Sequence, residues 1–264
     1  MNPYLSFYLA AKTSYHFHSP SLFRLIRYGL STEDQYYSFG DIDTYYKALC
    51  CLSDRIPFTD FSGSKNQSGR TLAEFAKKAV APPRHAKRLF KLINFFQPRH
   101  ILELGSCLGM SAAAMAWAKP TACLLGVEGN PFLADHANKL LAQHQISNAW
   151  IKSSLFTDFF QEQDCSQFDL VYLDGDHHYD STMQYIKILL TQLPSHAVIL
   201  MDDIHWSHEM YSAWNEIKKL PRVNASLETI RLGILFLDGH QIKGHHSWIP
   251  YYLKPWQIGL FSSL

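Results

Sequence analysis

The sequence has few cysteines, and they form no pattern that would build a covalent or metal framework. Five cysteines occur in 264 residues, and no two have the C-x-x-C spacing of a zinc site or a redox pair. Neither a disulfide-stabilised secreted domain nor a structural zinc centre is therefore predicted. We expect reduced thiols that mostly pack as small apolar groups.

Long hydrophobic runs and an excess of one charge are also missing. The apolar segments fall well short of the roughly 20 residues that cross a bilayer, and the N-terminus has no basic start followed by an apolar run. Lys and Arg number 24 against 23 Asp and Glu, without a Lys/Arg-rich stretch. We expect a cytoplasmic protein with no membrane partner and no nucleic acid partner.

Apolar residues make up 47% of the chain, and after residue 100 they come in short runs that alternate with helical patterns. This alternation is typical of an α/β fold in which helices cover both faces of a parallel sheet. The predicted strands are Ile101–Leu104, Leu124–Val127, Ala149–Lys152, Leu170–Leu173, Val198–Met201 and a later segment, Glu228–Leu237. The predicted helices are Asp43–Leu52, Thr71–Ala79, Arg84–Phe96, Pro131–Gln143, Thr182–Leu193 and one from Trp206 to Leu220.

The chain is long enough for one catalytic domain with a smaller addition. Residues 1–95 are rich in aromatic and basic residues at helical spacing, which predicts a helical N-terminal subdomain. Residues 96–264 are predicted to form the catalytic domain. The polar segment 60–69 is predicted to be a loop, either a mobile linker or a lid over the substrate.

The most informative stretch runs from Ile101 to Met115 and reads ILELGSCLGMSAAAM. It predicts a strand, a tight turn between Gly105 and Gly109, and a helix. The glycines let the backbone approach a ligand closely, and the helix directs unpaired N–H groups and its positive end toward the turn. The stretch therefore predicts a binding site for a small molecule.

Two acids indicate what kind of molecule binds there. The turn lacks both the G-x-G-x-x-G spacing and the Lys-Ser/Thr pair of phosphate-binding loops, and Glu103 stands two residues before it. A carboxylate at that place repels a diphosphate and attracts an ammonium group. Glu128 ends the next strand, where an acid can accept hydrogen bonds from both hydroxyls of a ribose. We expect a ligand with a ribose and a cationic amino-acid end.

With these motifs, residues 101–237 resemble the class I S-adenosylmethionine-dependent methyltransferases, and the G-S-C-L-G turn resembles their catechol O-methyltransferase-like branch. The His18-Ser19-Pro20 phrase with Phe23, and the segment 202–207, resemble a group of bacterial methyltransferases without a known substrate. The resemblance implies a Rossmann-like, seven-stranded, mostly parallel sheet with an antiparallel edge. It implies S-adenosylmethionine as cofactor, with contacts from Glu103, Gly105, Ser106, Gly109, Glu128, Gly129, Ser154 and Asp174.

Acids also follow the fourth and fifth predicted strands. By analogy with catechol-type enzymes, Asp174, Asp202 and Asp203 match three oxygen ligands of a magnesium ion. A hard cation prefers carboxylates, can chelate two vicinal hydroxyls and can lower the pKa of one of them. The alternative is that these acids cap helices or bind the methionine ammonium, without a metal.

Asp174-x-x-His177 has the spacing found in macrolide-sugar O-methyltransferases, where a metal ligand and a general base stand together. Histidine can take up a hydroxyl proton near neutral pH. The resemblance thus implies that His177 and Asp174 are catalytic. A helix-capping or substrate-orienting role for His177 is the alternative.

These features predict O-methylation of a small hydroxylated acceptor or a sugar. N-methylation or protein methylation is a second hypothesis, against which the absence of an N-P-P-Y-type tetrapeptide counts. A catalytically degenerate S-adenosylmethionine-binding protein is a third, because Cys107 replaces the middle glycine of the common turn and Asp202-Asp203 replaces the Asp-Asn of catechol enzymes. The acceptor's identity and the oligomeric state are left open.

Overall fold

The computed structural model describes residues 2–31, 34–57, 69–239 and 242–257. Within these residues the α-helices are α1 (Pro3–Ala10), α2 (Pro20–Arg24), α3 (Ser38–Leu49), α4 (Leu72–Ala79), α5 (Pro83–Phe96), α6 (Met110–Ala118), α7 (Pro131–Gln143), α8 (Phe156–Glu162), α9 (Tyr179–Gln192) and α10 (His208–Ile217). The strands are β1 (His100–Leu104), β2 (Cys123–Glu128), β3 (Ala149–Ser153), β4 (Leu170–Leu173), β5 (Val198–Met201), β6 (Val223–Glu228), β7 (Gly233–Leu237) and β8 (Gly244–Ser247). In these parts of the chain, every helix is too short or too polar to cross a bilayer.

The chain divides into two compact units. The middle unit is Thr32–Gln163, and the terminal unit combines Met1–Ser31 with Asp164–Leu264. The predicted division into residues 1–95 and 96–264 follows chain order and differs from these units; as a division into domains it stays a prediction. Of the predicted loop, residues 60–68 lie outside the described residues.

The middle unit holds three parallel strands in the order β3-β2-β1. Leu104 is in register with Val127, and Glu128 with Ser153, so the three carboxyl ends lie at one edge. Helix α6 follows β1 and consists almost wholly of buried small and apolar residues, which suits a helix packed closely on its neighbours. This arrangement brings the turn after β1 and the acid at the end of β2 to the same edge.

The terminal unit holds five strands in the order β4-β5-β7-β6-β8. Strands β4 and β5 are parallel, β7 is antiparallel to both β5 and β6, and β8 is parallel to β6. The predicted antiparallel edge is therefore confirmed. The described residues form eight strands, one more than the seven that the resemblance implies; the sequence of β8, GHHS, lacks the apolar alternation by which a strand is recognised.

The α/β fold with a mostly parallel sheet is confirmed, and most boundaries lie within one or two residues of the prediction. Pro131–Gln143 is a helix with those limits, started by an Asn130 side chain that accepts from the Phe132 N–H. Helix α4 begins with a capping box in which Thr71 and Glu74 accept each other's backbone N–H. Local side-chain chemistry thus sets these helix starts.

The two largest departures from the predicted boundaries are at helix α3 and in the segment 228–237. Helix α3 begins at Ser38, five residues before the prediction, since Gly40 in its first turn weakens the helical pattern without ending it. The segment 228–237 is a turn and a strand: β6 ends at Glu228, and Thr229 exchanges hydrogen bonds with Leu232 before β7 begins. The apolar pattern of this segment does not show the turn, because the turn depends on the hydrogen bonds of the Thr229 side chain.

Gly126 in β2 should not tolerate a side chain. A Cβ atom there would overlap the Ser106 hydroxyl and the Ile151 side chain. We expect Gly126→Ala to lower the free energy of unfolding by about 1–3 kcal/mol, measured by urea denaturation. Gly40→Ala is the matched control: nothing lies near its added methyl, and it should raise stability by about 0.4–1 kcal/mol. Equal effects of the two substitutions would contradict the tight packing inferred at Gly126.

Candidate cofactor and active site

The turn after β1 is held in a strained, tightly bonded conformation. Gly105, Cys107 and Gly109 have φ values of 98°, 49° and 76°, in the left-handed region. The N–H groups of Gly105 and Ser106 both donate to the Val127 carbonyl, at 2.9 and 3.2 Å. Backbone strain maintained by surrounding bonds is common where a protein shapes itself around a ligand.

Tyr45 of α3 supports this turn through its side chain, a role that the sequence does not reveal. Its ring is buried, and its hydroxyl donates to the Leu108 carbonyl at 3.0 Å. Burial, with Glu103 and Cys107 nearby, raises the pKa of Tyr45 above its usual range. A Cβ on Gly109 would come within 3.0 Å of this hydroxyl, so glycine and tyrosine fix the start of α6 together. In the sequence Tyr45 has the appearance of an ordinary apolar residue of a helix.

Glu103 is the most unusual residue of the turn. It is completely buried, and its Oε2 accepts from the Ser106 hydroxyl at 2.7 Å. Its other oxygen, Oε1, has no hydrogen-bond partner among the described residues. Burial raises the pKa of Glu103 to about 7, although Ser111 and Ser106 oppose the shift through hydrogen bonds. An unsatisfied buried oxygen costs about 1–3 kcal/mol, so this one is suited to a donor that a ligand brings.

Glu128 joins the turn to the next helix. Its two oxygens accept from the backbone N–H groups of Cys107, at 2.9 Å, and Asn130, at 2.8 Å. Burial raises the pKa of Glu128, and those two hydrogen bonds oppose the shift. The Gly129 N–H is a third backbone donor to this carboxylate, and since each oxygen can accept more than one hydrogen bond, Glu128 can still accept from a ligand hydroxyl.

The structure collects most of the predicted cofactor residues at one edge of the middle unit. Ser154 is in the same region, since its N–H donates to the Glu128 carbonyl at 3.0 Å, but its hydroxyl faces the Leu155 carbonyl. Gly129 would bring a Cβ to 3.4 Å from Leu155, an ordinary contact distance. Asp174 belongs to the terminal unit. The cofactor contacts of these residues stay predictions.

In the terminal unit, Asp202 is fully engaged with other protein groups. Arg231 donates to both of its carboxylate oxygens, at 2.8 Å each, in a bidentate pair. The Asp203 N–H donates to Oδ1 at 2.9 Å, and the Tyr172 hydroxyl lies 2.9 Å from Oδ2. Asp202 itself is buried. Its predicted role as a metal ligand stays a prediction, on a carboxylate that already has a cationic partner.

Arg231 was not recognised from the sequence. It lies in the turn between β6 and β7, within the segment 228–237 that the sequence predicts to be one strand. Its guanidinium also approaches Asp203, at 3.1 Å. Burial alone would lower the pKa of Arg231, but the surrounding acids outweigh burial and raise it above its usual range. One arginine thus offsets much of the negative charge of Asp174, Asp202 and Asp203.

Asp174, His177 and Asp203 form the one group in the described residues that could hold a metal ion, with ligand atoms within 4.8 Å of one another. The His177 Nε2 lies 3.8 Å from Asp174 Oδ1. Burial and then Asp202 raise the pKa of Asp174 well above its usual value, against the effects of Arg231 and Tyr172. This set has an imidazole where the predicted set has Asp202. It therefore fits a transition-metal ion better than magnesium, which prefers oxygen ligands.

A family model described as a methyltransferase domain matches residues 102–204. This part of the chain is a methyltransferase domain. The resemblance to class I methyltransferases is thereby confirmed, and so is the prediction of a methyltransferase. Among curated proteins, none matches the chain.

Solved structures share the fold of this chain at low sequence identity. An O-methyltransferase from Bacillus cereus in complex with S-adenosylhomocysteine is 14% identical, over 80% of this chain and 94% of that one, with a TM-score of 0.55. The S-adenosylhomocysteine-bound methyltransferase PaMTH1 of Podospora anserina is 14% identical, over 84% of this chain and 97% of that one, with a TM-score of 0.58. A third structure is that of TomG, an O-methyltransferase from Streptomyces achromogenes involved in tomaymycin synthesis, in complex with S-adenosylmethionine. It is 14% identical, over 81% of this chain and 95% of that one, with a TM-score of 0.56.

Glu103→Gln should stabilise the ligand-free protein at pH 8. A buried acid with a raised pKa holds its proton more tightly in the folded state, so its ionisation lowers stability as pH rises from about 4.5 to about 7. Glutamine removes that charge, and we expect a gain of about 1–3 kcal/mol at pH 8 and little change at pH 5. Urea unfolding at both pH values measures this. Glu162→Gln, an exposed acid, is the control and should change stability by less than about 0.5 kcal/mol.

Arg231→Gln should destabilise the terminal unit, because it leaves Asp202 buried without a counter-charge. We expect a loss of about 2–4 kcal/mol at pH 7, reduced from the fully buried case by the partial exposure of Arg231. Adding Asp202→Asn to Arg231→Gln should recover part of the loss, since the unpaired charge is then absent. Chemical denaturation of the three proteins measures this, and a loss below about 1 kcal/mol in the single variant would contradict the assigned role.

Proposed function

We propose that this protein is an S-adenosylmethionine-dependent O-methyltransferase that acts on a small hydroxylated acceptor. The observation that carries the proposal is the buried Glu103 carboxylate with one unpaired oxygen, beside a strained glycine turn and a second acid, Glu128. This arrangement favours a cationic nucleoside over a nucleotide phosphate. The solved structures of similar fold that contain S-adenosylmethionine or its demethylated product support the same choice.

In this proposal the middle unit binds the cofactor. Glu103 attracts the ammonium group, and the Glu128 oxygens accept from the ribose hydroxyls. The N-terminal N–H groups of α6 face the turn and favour the cofactor's carboxylate. When bound, S-adenosylmethionine supplies a methyl group on a positively charged sulfur, which an aligned oxygen can displace in line.

The terminal unit supplies groups for handling a hydroxyl proton. His177 is the proposed general base, and Asp174, 3.8 Å from its Nε2, orients it and stabilises the imidazolium that forms. A surface cleft of about 670 Å³ begins at the neighbouring residue, His178, and is lined by polar side chains from the first turns of α9 and α10.

The same three residues, Asp174, His177 and Asp203, would hold a divalent cation if the reaction uses one. The ion would polarise a bound hydroxyl and make its proton easier to lose. A His177 nitrogen that binds the ion cannot also accept the proton, so the two roles of that nitrogen exclude each other. A test must therefore separate metal binding from base catalysis.

Calorimetry with S-adenosylhomocysteine tests the cofactor part. We expect binding that weakens as pH falls through about 7, because protonation removes the charge of Glu103. Glu103→Gln should weaken binding about tenfold or more and flatten this pH dependence, while Glu162→Gln changes neither. If a folded protein ignores S-adenosylhomocysteine, the proposal is wrong.

Release of S-adenosylhomocysteine with a panel of catechols, sugars and amines tests the reaction. We expect turnover with hydroxylated acceptors and a large loss in His177→Ala and Asp203→Asn, neither of which should change cofactor affinity. Titration with Mn²⁺ alone shows whether Asp203→Asn also removes metal binding. Binding without turnover would favour the degenerate binder, and turnover of amines alone would favour N-methylation; either result overturns O-methylation.

A further inference from the structure

The two ends of the chain are unusual in having no acidic residue. Residues 1–32 and 239–264 contain no Asp or Glu, although the whole chain has 23. They contain five basic residues: Lys12, Arg24, Arg27, Lys243 and Lys254. Any surface that these segments build together is therefore free of negative side chains of its own.

The structure joins the two segments within the terminal unit. The Lys12 N–H donates to the Ser247 carbonyl at 2.9 Å, and the Ile249 N–H donates to the Lys12 carbonyl at 3.1 Å. The buried Lys254 ammonium donates to the Ala11 carbonyl at 2.7 Å and lies 4.8 Å from the centre of the Tyr8 ring. Helix α1 is thus fixed along the C-terminal segment, with a lysine at its C-terminal end.

Large apolar side chains are exposed on these two segments. Ten of the fifteen exposed large hydrophobic residues in the described chain belong to these two segments. Helix α1 buries Phe7 but leaves Leu5 and Leu9, one turn apart on the same side, 49% and 64% exposed. We define the terminal surface by the exposed residues of α1 and of the turns after β8: Leu5, Leu9, Tyr251, Tyr252, Leu253 and Trp256.

The contacts place the two parts of this surface side by side. The Tyr8 hydroxyl donates to the Leu253 carbonyl at 3.0 Å, and the Tyr8 ring packs edge-on against Trp256 with centroids 6.4 Å apart. The Lys254 ammonium also reaches the Leu9 carbonyl, at 3.4 Å. Helix α1, which carries the exposed leucines, therefore packs through Tyr8 and the Leu9 carbonyl against the C-terminal turns, which carry the exposed tyrosines and tryptophan.

We propose that the terminal surface docks on the headgroup region of an anionic lipid bilayer. Trp and Tyr prefer that region because their rings are apolar at one end and polar at the other, and exposed leucines can enter the acyl boundary. The segments that build this surface carry no acidic side chain to repel anionic lipids, and the exposed Lys12, two residues after the end of α1, adds attraction to them. The expectation of no membrane partner rested on missing spanning segments, which peripheral docking does not need.

Two other occupants fit these observations less well. In a symmetric dimer the same patch would face itself, so segments with only basic residues would meet without any acid to pair with. Nucleic acid is bound through rows of basic side chains that follow the phosphates, and exposed leucines have no use there. An anionic lipid surface can interact with both the exposed leucines and the positive charge of these segments.

Co-sedimentation of the full-length protein with vesicles tests the proposal. We expect binding to phosphatidylcholine vesicles that contain about 30% phosphatidylserine, weaker binding to pure phosphatidylcholine, and a partial loss at high salt. Leu5→Gln with Leu9→Gln should reduce the affinity about tenfold. Trp256→Gln should also reduce it, whereas Trp150→Gln, at an equally exposed tryptophan of the middle unit, should have no effect.

Two further measurements make the result decisive. Circular dichroism establishes that each variant is folded. If Trp256→Gln disturbs packing against Tyr8, the variant with both Leu5→Gln and Leu9→Gln still tests whether the terminal surface binds vesicles. Light scattering during size-exclusion chromatography tests the second copy as occupant. The proposal is overturned if neither kind of vesicle binds, if Trp150→Gln weakens binding as much as Trp256→Gln, or if the leucine substitutions convert a dimer to a monomer without affecting vesicles.

Discussion

A carboxylate kept away from water, with one oxygen lacking a protein donor, is the constraint on which the middle unit depends. Glu103 sits at the end of a buried strand, where its ionised form is unfavourable, and the turn that follows is held by bonds to β2, to Glu128 and to Tyr45. Folding alone gains nothing from such an acid. Its placement becomes understandable when a cation completes the hydrogen bonding, so the stability of the unit and its proposed ligand are linked through one side chain.

The terminal unit handles its acids differently. Asp202 is neutralised inside the protein by the Arg231 guanidinium, and the nearby Tyr172 hydroxyl lies between two carboxylates, 2.9 and 3.0 Å from them. This pairing holds the loop after β5 in place, and the same guanidinium also approaches Asp203, at 3.1 Å. The remaining group of Asp174, His177 and Asp203 therefore carries less uncompensated charge than three adjacent acids would suggest. A mixed oxygen and nitrogen set of this kind suits either proton transfer or a transition-metal ion.

The first and last described segments add a third element to the terminal unit. Helix α1 is short and apolar on all sides, so it cannot be stable by itself, and contacts with the segment after β8 hold it in place. The same arrangement leaves its outer side chains exposed together with aromatic rings of the C-terminal turns. Structure formation and surface character thus come from the same contacts.

The sequence by itself determined the order of strands and helices after residue 100, the turn between Gly105 and Gly109, and the acids Glu103 and Glu128, because these depend on local periodicity, glycine conformation and charge. It could not show that Tyr45 supports the turn, that Arg231 pairs with Asp202 or that the two acid-free segments meet. Each of these contacts joins residues that lie 29 or more positions apart and otherwise resemble ordinary core or loop residues. Only the tertiary structure decides which side chains share a buried charge, since pairing depends on distance in space, which a pattern along the chain does not contain.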